Sequence, residues 1–129
     1  MSNYNLKQIS LFYLQIFFSF GLIITILISI SLSYNEILKL DGKKPLYEPK
    51  LEEKILVFNR MLNFLIATSF VWLNVQNKKY SKKDRENIKY ADLQIEASIL
   101  SLISSLLVLY VTLDNINDLS SSNFDNPVL

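Results

Sequence analysis

The stretch ISLFYLQIFFSFGLIITILISISLSY, residues 9–34, decides the fold. No charged residue occurs between Lys7 and Glu36, and apolar residues lie on every face of a helix rather than along one stripe. About 20 helical residues cross a bilayer core of about 30 Å, so this stretch is long enough to do so. A strand in lipid would leave its backbone groups unpaired. We therefore predict a transmembrane helix.

Two further stretches, residues 55–75 and 95–113, are nearly as free of charge. Each is slightly short for a bilayer and needs one or two residues from its flanks. The sequence therefore predicts an all-α, polytopic membrane protein with three transmembrane helices in a small antiparallel bundle. The alternative is a soluble bundle of three buried helices, which the long uncharged first stretch disfavours. We also expect the first stretch to be a retained anchor, because the apolar region of a signal peptide has only about 7–15 residues.

The remaining residues complete a single membrane domain over 1–129. The first helix is expected to continue to Leu40 and to end in an Asp41-Gly42 turn. Pro49 suits the first turn of the second helix, and the third helix is expected to begin near Lys82. The segments between and after the spans are an outer loop 35–54, a basic inner loop 76–94 and a loose polar tail 114–129.

The composition excludes several function classes. The chain holds 13 Lys and Arg against 12 Asp and Glu, with no His and no Cys. Without His and Cys, neither a Ser/His/Asp nor a Cys/His catalytic arrangement can be built, and zinc, haem and iron–sulfur groups lose their usual ligands. A net charge of +1 gives no field that attracts nucleic acid. We predict no enzyme, no catalytic residue, no cofactor, no metal site and no nucleic-acid partner.

The distribution of Lys and Arg predicts an orientation in the membrane. Cytoplasmic loops carry the excess of these residues, and segment 76–94 holds six of them whereas 114–129 holds none. We predict a multi-pass cell-membrane protein with a cytoplasmic N-terminus and a C-terminus outside. The balance is narrow, because seven Lys and Arg fall on the cytoplasmic side and five on the other. The basic cluster has two interpretations, a topogenic signal and a surface for anionic lipid.

Polar and small residues recur at helical spacing within the spans and form stripes. Small side chains every fourth residue let helix backbones approach closely. The stripes indicate packed helix contacts or a hydrated path, and we favour packing because Ser and Thr can satisfy their hydroxyls on their own helix. The first span carries a polar path of Gln15, Ser19, Ser29 and Ser33 and a small-residue stripe of Gly21, Thr25, Ser29 and Ser33 at four-residue spacing. The stripe residues of the other spans are Asn59, Asn63, Ala67 and Asn74 in the second, and Gln94, Ser98, Ser101, Ser105 and Thr112 in the third.

Arg60 is a charge inside the second predicted span. We predict that it forms an ion pair with Asp114 at the same end of the third span, or with Glu36 from the first helix. The alternative is that its long side chain reaches the headgroups alone.

Asp92 and Glu96 are one helical turn apart near the start of the third span. Two carboxylates at this spacing are able to bind a cation or relay protons. The more common reading of such a pair is a solvated helix face, here beside the basic residues of segment 76–94.

Several elements carry a resemblance to a known group of proteins. They are FNRMLNFLIATSFVWLNVQNKKY (58–80), LQIEASILSLISSLLVLYV (93–111) and the terminal NPVL, and within them Asn59-Arg60, Leu93-Gln94-Ile95 and Leu109-Tyr110-Val111. Over about residues 10–129 the chain resembles small integral membrane proteins of low-GC Gram-positive bacteria. This resemblance implies a bacterial membrane protein, and it transfers no activity because the group has no known one.

The sequence leads to one expected function and one alternative. We expect a small integral membrane protein that acts through helix–helix contacts, as an accessory subunit or scaffold. Its partners would be the lipid bilayer and either a homo-oligomer or another membrane protein. The alternative is an oligomeric pore or holin-like permeabiliser, whose conduit the polar stripes would line. A proton-coupled carrier is disfavoured because the first span has Gln15 and no carboxylate.

Overall fold

The computed structural model describes residues 3–80 and 85–122, with side chains described over 5–80 and 88–117. These residues form three α-helices: α1 (Asn3–Leu40), α2 (Pro49–Tyr80) and α3 (Arg85–Ser122). All three are long and apolar enough to cross a membrane, and the described part of the chain contains no strand. The predicted all-α fold with three helices of membrane-spanning length is confirmed.

A local backbone signal ends α1. Gly42 has a φ of 72°, a left-handed conformation that glycine adopts without a steric penalty. The N–H of Gly42 donates to the Lys39 carbonyl at 3.1 Å, and the N–H of Lys43 donates to the Leu38 carbonyl at 2.9 Å. These are the two hydrogen bonds of a Schellman motif. The predicted helix end at Leu40 and the turn after it are therefore confirmed.

The start of α2 was also predicted correctly. The helix begins at Pro49, where the missing N–H of proline breaks no intrahelical hydrogen bond, and its first turn contains Glu52. A carboxylate at this position interacts favourably with the partial positive charge of the helix N-terminus.

Helix α3 is longer than the sequence predicted. Residues 114–122, predicted to be part of a loose tail, are helical, whereas 123–129 lie outside the described residues. Once a helix has formed, its extension by one residue costs only the helix propensity of that residue, which is about 0.5–0.7 kcal/mol relative to Ala for Asn, Asp or Ser. No Gly or Pro interrupts the sequence before Pro127.

The predicted basic loop 76–94 is mostly helical. Its first residues belong to α2 as far as Tyr80, and its last residues belong to α3 from Arg85 onward. The predicted start of the third helix near Lys82 lies outside the described residues.

Helix α2 lies between the other two helices. It packs against both α1 and α3, whereas no Cα of α1 lies within 8 Å of a Cα of α3 in the parts of the chain that are described. Both contacts are antiparallel. In the α1–α2 pair, the numbers of two residues that lie level add up to about 88. The hydrogen bond between Ser29 and Asn59 and the ring contact between Phe18 and Phe70 show this register. In the α2–α3 pair, the corresponding sum is about 169. The hydrogen bond from Asn74 to Gln94 and the ion pair of Lys78 with Asp92 show this register.

Burial in this fold is opposite to that of a soluble bundle. Large apolar side chains face outward, and Phe17 and Leu100 are 69% and 68% exposed. Most of the buried side chains are polar, namely Thr25, Asn35, Asn59, Ser98, Ser105 and Thr112, against buried apolar Leu11, Ile66, Leu73 and Ala91. Helices that face hydrocarbon gain nothing from hiding apolar surface and pack instead through small and polar residues.

The buried positions of α2 and α3 repeat every seven residues. They are Asn59, Ile66 and Leu73 on α2, and Ala91, Ser98, Ser105 and Thr112 on α3. A seven-residue repeat is typical of helices that pack with a left-handed supercoil. Small side chains on the α3 seam allow the two backbones to approach closely.

Candidate functional site

The two outer helices leave an open groove above one face of α2. Its main cavity has a volume of 820 Å³ and is lined from all three helices. Two smaller cavities, of 540 and 380 Å³, continue toward the end of the molecule that holds the α1–α2 loop. We call the three cavities together the polar groove, because amide and hydroxyl groups interrupt the mainly apolar lining of its main part. Those residues include Gln15, Asn63, Asn74, Gln94, Ser101 and Ser104.

The predicted small-residue stripe on α1 faces α2 over most of its length. A Cβ on Gly21 would lie 2.9 Å from Cδ1 of Ile66, so the two helices are in close contact there. Thr25 is buried and donates to a carbonyl of its own helix at 2.7 Å. Ser29 accepts a hydrogen bond from α2, whereas Ser33 is exposed and lines the groove. Gly21, Thr25 and Ser29 therefore pack against α2.

The predicted stripe on α3 divides into two edges. Ser98 and Ser105 are buried against α2, and each donates its hydroxyl to a carbonyl of its own helix at 2.8 Å. Ser101 and Ser104 are exposed and line the groove. The stripe thus contributes one packed edge and one edge that is open to the groove.

The predicted asparagines of α2 lie along the floor of the groove. Asn59 is 2% exposed, and its Nδ2 donates to Oγ of Ser29 at 3.0 Å, while its Oδ1 has no hydrogen-bond partner. Asn63 is half-buried and lines two of the cavities. Nδ2 of Asn74 donates to the Gln94 carbonyl at 3.3 Å, which links α2 to α3.

Arg60 lies where the three cavities of the groove meet, because it lines all of them. Its Nε is buried and has no hydrogen-bond partner. The ion pairs that the described residues form within 4 Å do not include its guanidinium. Among the described residues Arg60 therefore has no counter-ion, and its polar neighbours on α2 are Asn59 and Asn63.

The predicted pairs of Arg60 with Asp114 and Glu36 are not formed. Glu36 is 3.1 Å from Nζ of Lys39 on its own helix. The register places Arg60 beside Val108 of α3. Asp114 lies six residues further along that helix, about 9 Å at 1.5 Å per residue.

The two candidate carboxylates at the start of the third span have different surroundings. Oδ1 of Asp92 lies 2.5 Å from Nζ of Lys78, whereas Glu96 is exposed and takes part in no ion pair in the described part of the chain. The described residues contain no group of three or more His, Cys, Asp or Glu that could hold a metal ion.

A polar network that sequence reasoning missed lies at the α1–α2 loop. Asn35 is completely buried, its Nδ2 donates to Oε2 of Glu52 at 2.6 Å, and its Oδ1 accepts the N–H of Tyr47 at 3.0 Å. The hydroxyl of Tyr47 donates to Oγ of Ser31 at 3.2 Å, and Lys39 contacts Glu52. The only signal in the sequence is an amide that directly follows the apolar stretch. The network ties the loop to both helices.

Comparisons of the chain with protein-family models, with curated proteins and with solved structures give no match.

Proposed function

We propose that this chain is a small multi-pass protein of the cell membrane that acts through helix–helix contacts, as an accessory subunit or scaffold. The polar groove is its contact surface. The chain performs no catalysis and needs no cofactor. The excess of Lys and Arg in segment 76–94 favours a cytoplasmic N-terminus and an outside C-terminus.

One observation carries this proposal: the polar groove is open and contains Arg60, whose buried Nε has no hydrogen-bond partner. In a bilayer, the amides, hydroxyls and guanidinium of an open groove would face lipid tails, which offer no hydrogen bonds. Each unsatisfied polar group in hydrocarbon costs on the order of several kcal/mol. A further transmembrane helix over the groove would supply partners for them, and polar side chains in membrane helices typically serve such contacts.

Purification in a mild detergent, followed by mass determination, tests the proposal. We expect a particle of one composition that is larger than a single chain of 15.0 kDa. Ala67→Trp should release the bound subunit, because Ala67 lines the groove and an indole would fill it. Thr68→Trp is the matched control, because Thr68 is exposed, does not line the groove and bonds to its own helix. A particle with one copy of the chain and no bound protein would contradict the proposal.

An oligomeric pore is the second candidate, and the amide and hydroxyl lining of the groove favours it. In that case several copies would surround a conduit formed by their grooves. Liposomes that contain the purified protein should then release a trapped ion or dye, and Ala67→Trp should slow the release while Thr68→Trp leaves it unchanged. Liposomes that retain their contents would eliminate this candidate.

A further inference from the structure

Arg60 is the only charged residue that lines the polar groove in the described part of the chain. Its Nε is buried without a hydrogen-bond partner, and the adjacent Asn59 buries an Oδ1 that is also unbonded. The other polar groups of the lining are neutral amides and hydroxyls. The groove therefore presents one positive charge within an otherwise neutral surface.

Arg60 lies inside the hydrocarbon, on the side of the α1–α2 loop. Ile66 marks the middle of the apolar part of α2, because it is midway between Lys54 and Lys78. It also faces Gly21, which is near the midpoint of the first apolar stretch. Arg60 precedes Ile66 by six residues, about 9 Å, whereas the hydrocarbon extends about 15 Å from its middle. Charged side chains at such a depth are costly and generally pair with one another.

The described carboxylates of this chain do not reach the level of Arg60. Asp114 and Glu53 lie about 9–10 Å from that level along the helix axes, and Glu36 lies about 12 Å from it. A second copy in the same orientation has its carboxylates at these same levels, and it brings Arg60 level with Arg60. The described residues therefore offer no acidic partner, either within one copy or between parallel copies.

The groove extends along the full depth of the hydrocarbon. Its lining begins at Ile37 of α1, which lies level with about residue 51 of α2, and it continues to Asn74. These levels are about 35 Å apart, slightly more than the thickness of a bilayer core. A lipid occupies one leaflet only, so a lipid phosphate at Arg60 would leave the amides beyond the middle uncovered. A transmembrane helix covers the groove in both leaflets.

We propose that the polar groove binds a transmembrane helix of a different membrane protein, and that this helix places one Asp or Glu level with Arg60. The carboxylate accepts paired hydrogen bonds from the guanidinium. The rest of the helix is uncharged, because the lining has no second charge for it to meet. Ala67 and Ala97 line the groove, and their small side chains let the helix approach closely. This inference rests on the proposed function and names the chemistry of its partner.

Synthetic transmembrane peptides test both the acid and its level. Each peptide is a Leu–Ala helix of about 23 residues, long enough to span a bilayer. The test peptide has one Glu about six residues from its centre, toward the end that lies at the α1–α2 loop. One control peptide has Gln at that position, and a second has its Glu at the centre. Energy transfer between dyes on the peptide and on the full chain measures binding in phosphatidylcholine vesicles.

We expect the test peptide to bind at least about tenfold more tightly than either control peptide, because only its carboxylate reaches the guanidinium. Arg60→Gln should abolish this preference, whereas Arg60→Lys should retain part of it, since Lys keeps the charge but not the paired geometry. Ala67→Trp should weaken the binding of the test peptide, and Thr68→Trp should not.

Three results would overturn the pairing. The first is equal binding of the Glu and Gln peptides to the unsubstituted chain, or no binding of any peptide. The second is a preference for Glu that survives Arg60→Gln. The third is equal binding of the peptide with a central Glu, which would contradict the level. Each preference compares peptides on one and the same chain, so a loss of stability in a variant does not imitate it.

Purification in mild detergent separates this inference from the proposed function. A bound subunit whose transmembrane helix has an Asp or Glu about six residues from its centre supports both. A bound subunit without such an acid, or a homo-oligomer of this chain, overturns the inference and leaves the interaction role intact. A single copy that retains only phospholipid overturns both.

Discussion

Replacement of Asn35 by Ala tests whether the network at the α1–α2 loop holds the two helices together. The side chain of Asn35 is completely buried and makes two hydrogen bonds, one to the Glu52 carboxylate at 2.6 Å and one from the Tyr47 N–H at 3.0 Å. A hydrogen bond to a charged group contributes about 1.5–3 kcal/mol, and a neutral one contributes about 0.5–1.5 kcal/mol. We therefore expect Asn35→Ala to lower the free energy of unfolding by about 2–4 kcal/mol.

The assay is equilibrium unfolding in mixed micelles, in which a denaturing detergent is titrated and helix content is followed by circular dichroism. Leu40→Ala is the control, because Leu40 lies at the same end of the molecule and is 86% exposed. Its effect should stay within about 0.5 kcal/mol, as is usual for exposed positions. If Asn35→Ala changes stability no more than Leu40→Ala, the network does not stabilise the helix pair and the reasoning is refuted.

Three further predictions concern the helix seams and the surface. Gly21→Leu should destabilise the α1–α2 contact by about 1–3 kcal/mol through overpacking, since even a Cβ would lie 2.9 Å from Ile66; unfolding in mixed micelles measures this, and an unchanged midpoint would contradict it. Ser105→Leu should destabilise the α2–α3 contact by a similar amount, because Ser105 is only 7% exposed where the two helices meet. A midpoint of thermal unfolding equal to that of the unsubstituted chain would contradict this packing. Asp92→Asn should lower the free energy of unfolding by at most about 0.5–1 kcal/mol, because the side chains of its ion pair, Lys78 and Asp92, are 41% and 48% exposed. A larger loss in the same detergent titration would contradict this.

The sequence predicted the helices because their determinants are local. Charge-free stretches give the spans, Gly42 supplies the left-handed residue that ends α1, and Pro49 occupies the first turn of α2. Each of these signals depends on a few neighbouring residues and on the thickness of a bilayer. The composition and spacing of the chain therefore contain the information for the number, type and approximate limits of the helices.

The ion pair predicted for Arg60 is not formed, although the register of α2 and α3 follows from the sequence. Alignment of the ends of the predicted spans 55–75 and 95–113 places Arg60 level with about residue 108, where the structure also has it. The prediction placed Arg60 and Asp114 only at the same end of the bundle, and six helical residues, about 9 Å, lie between residue 108 and Asp114. Individual contacts, such as that of Gly21 with Ile66 and that of Asn59 with Ser29, depend on how the two helices pack and could not be predicted from the spans.

The arrangement of the helices also lay beyond the sequence. Stripes of small and polar residues predicted packing, but they did not indicate that α1 and α3 would lie apart on either side of α2. The stripe on α3 consequently has a packed edge at Ser105 and a groove edge at Ser101. Periodicity identifies a face of a helix, whereas only the assembled structure shows which neighbour covers that face.

A subunit that covers the groove presupposes that the helices lie in lipid. The most direct measurement of that premise is the fate of the expressed chain when membranes are washed with alkaline carbonate and sedimented. The account predicts that the protein stays in the membrane pellet and enters solution only with detergent. Recovery of a folded, monodisperse protein in the supernatant without detergent would contradict it.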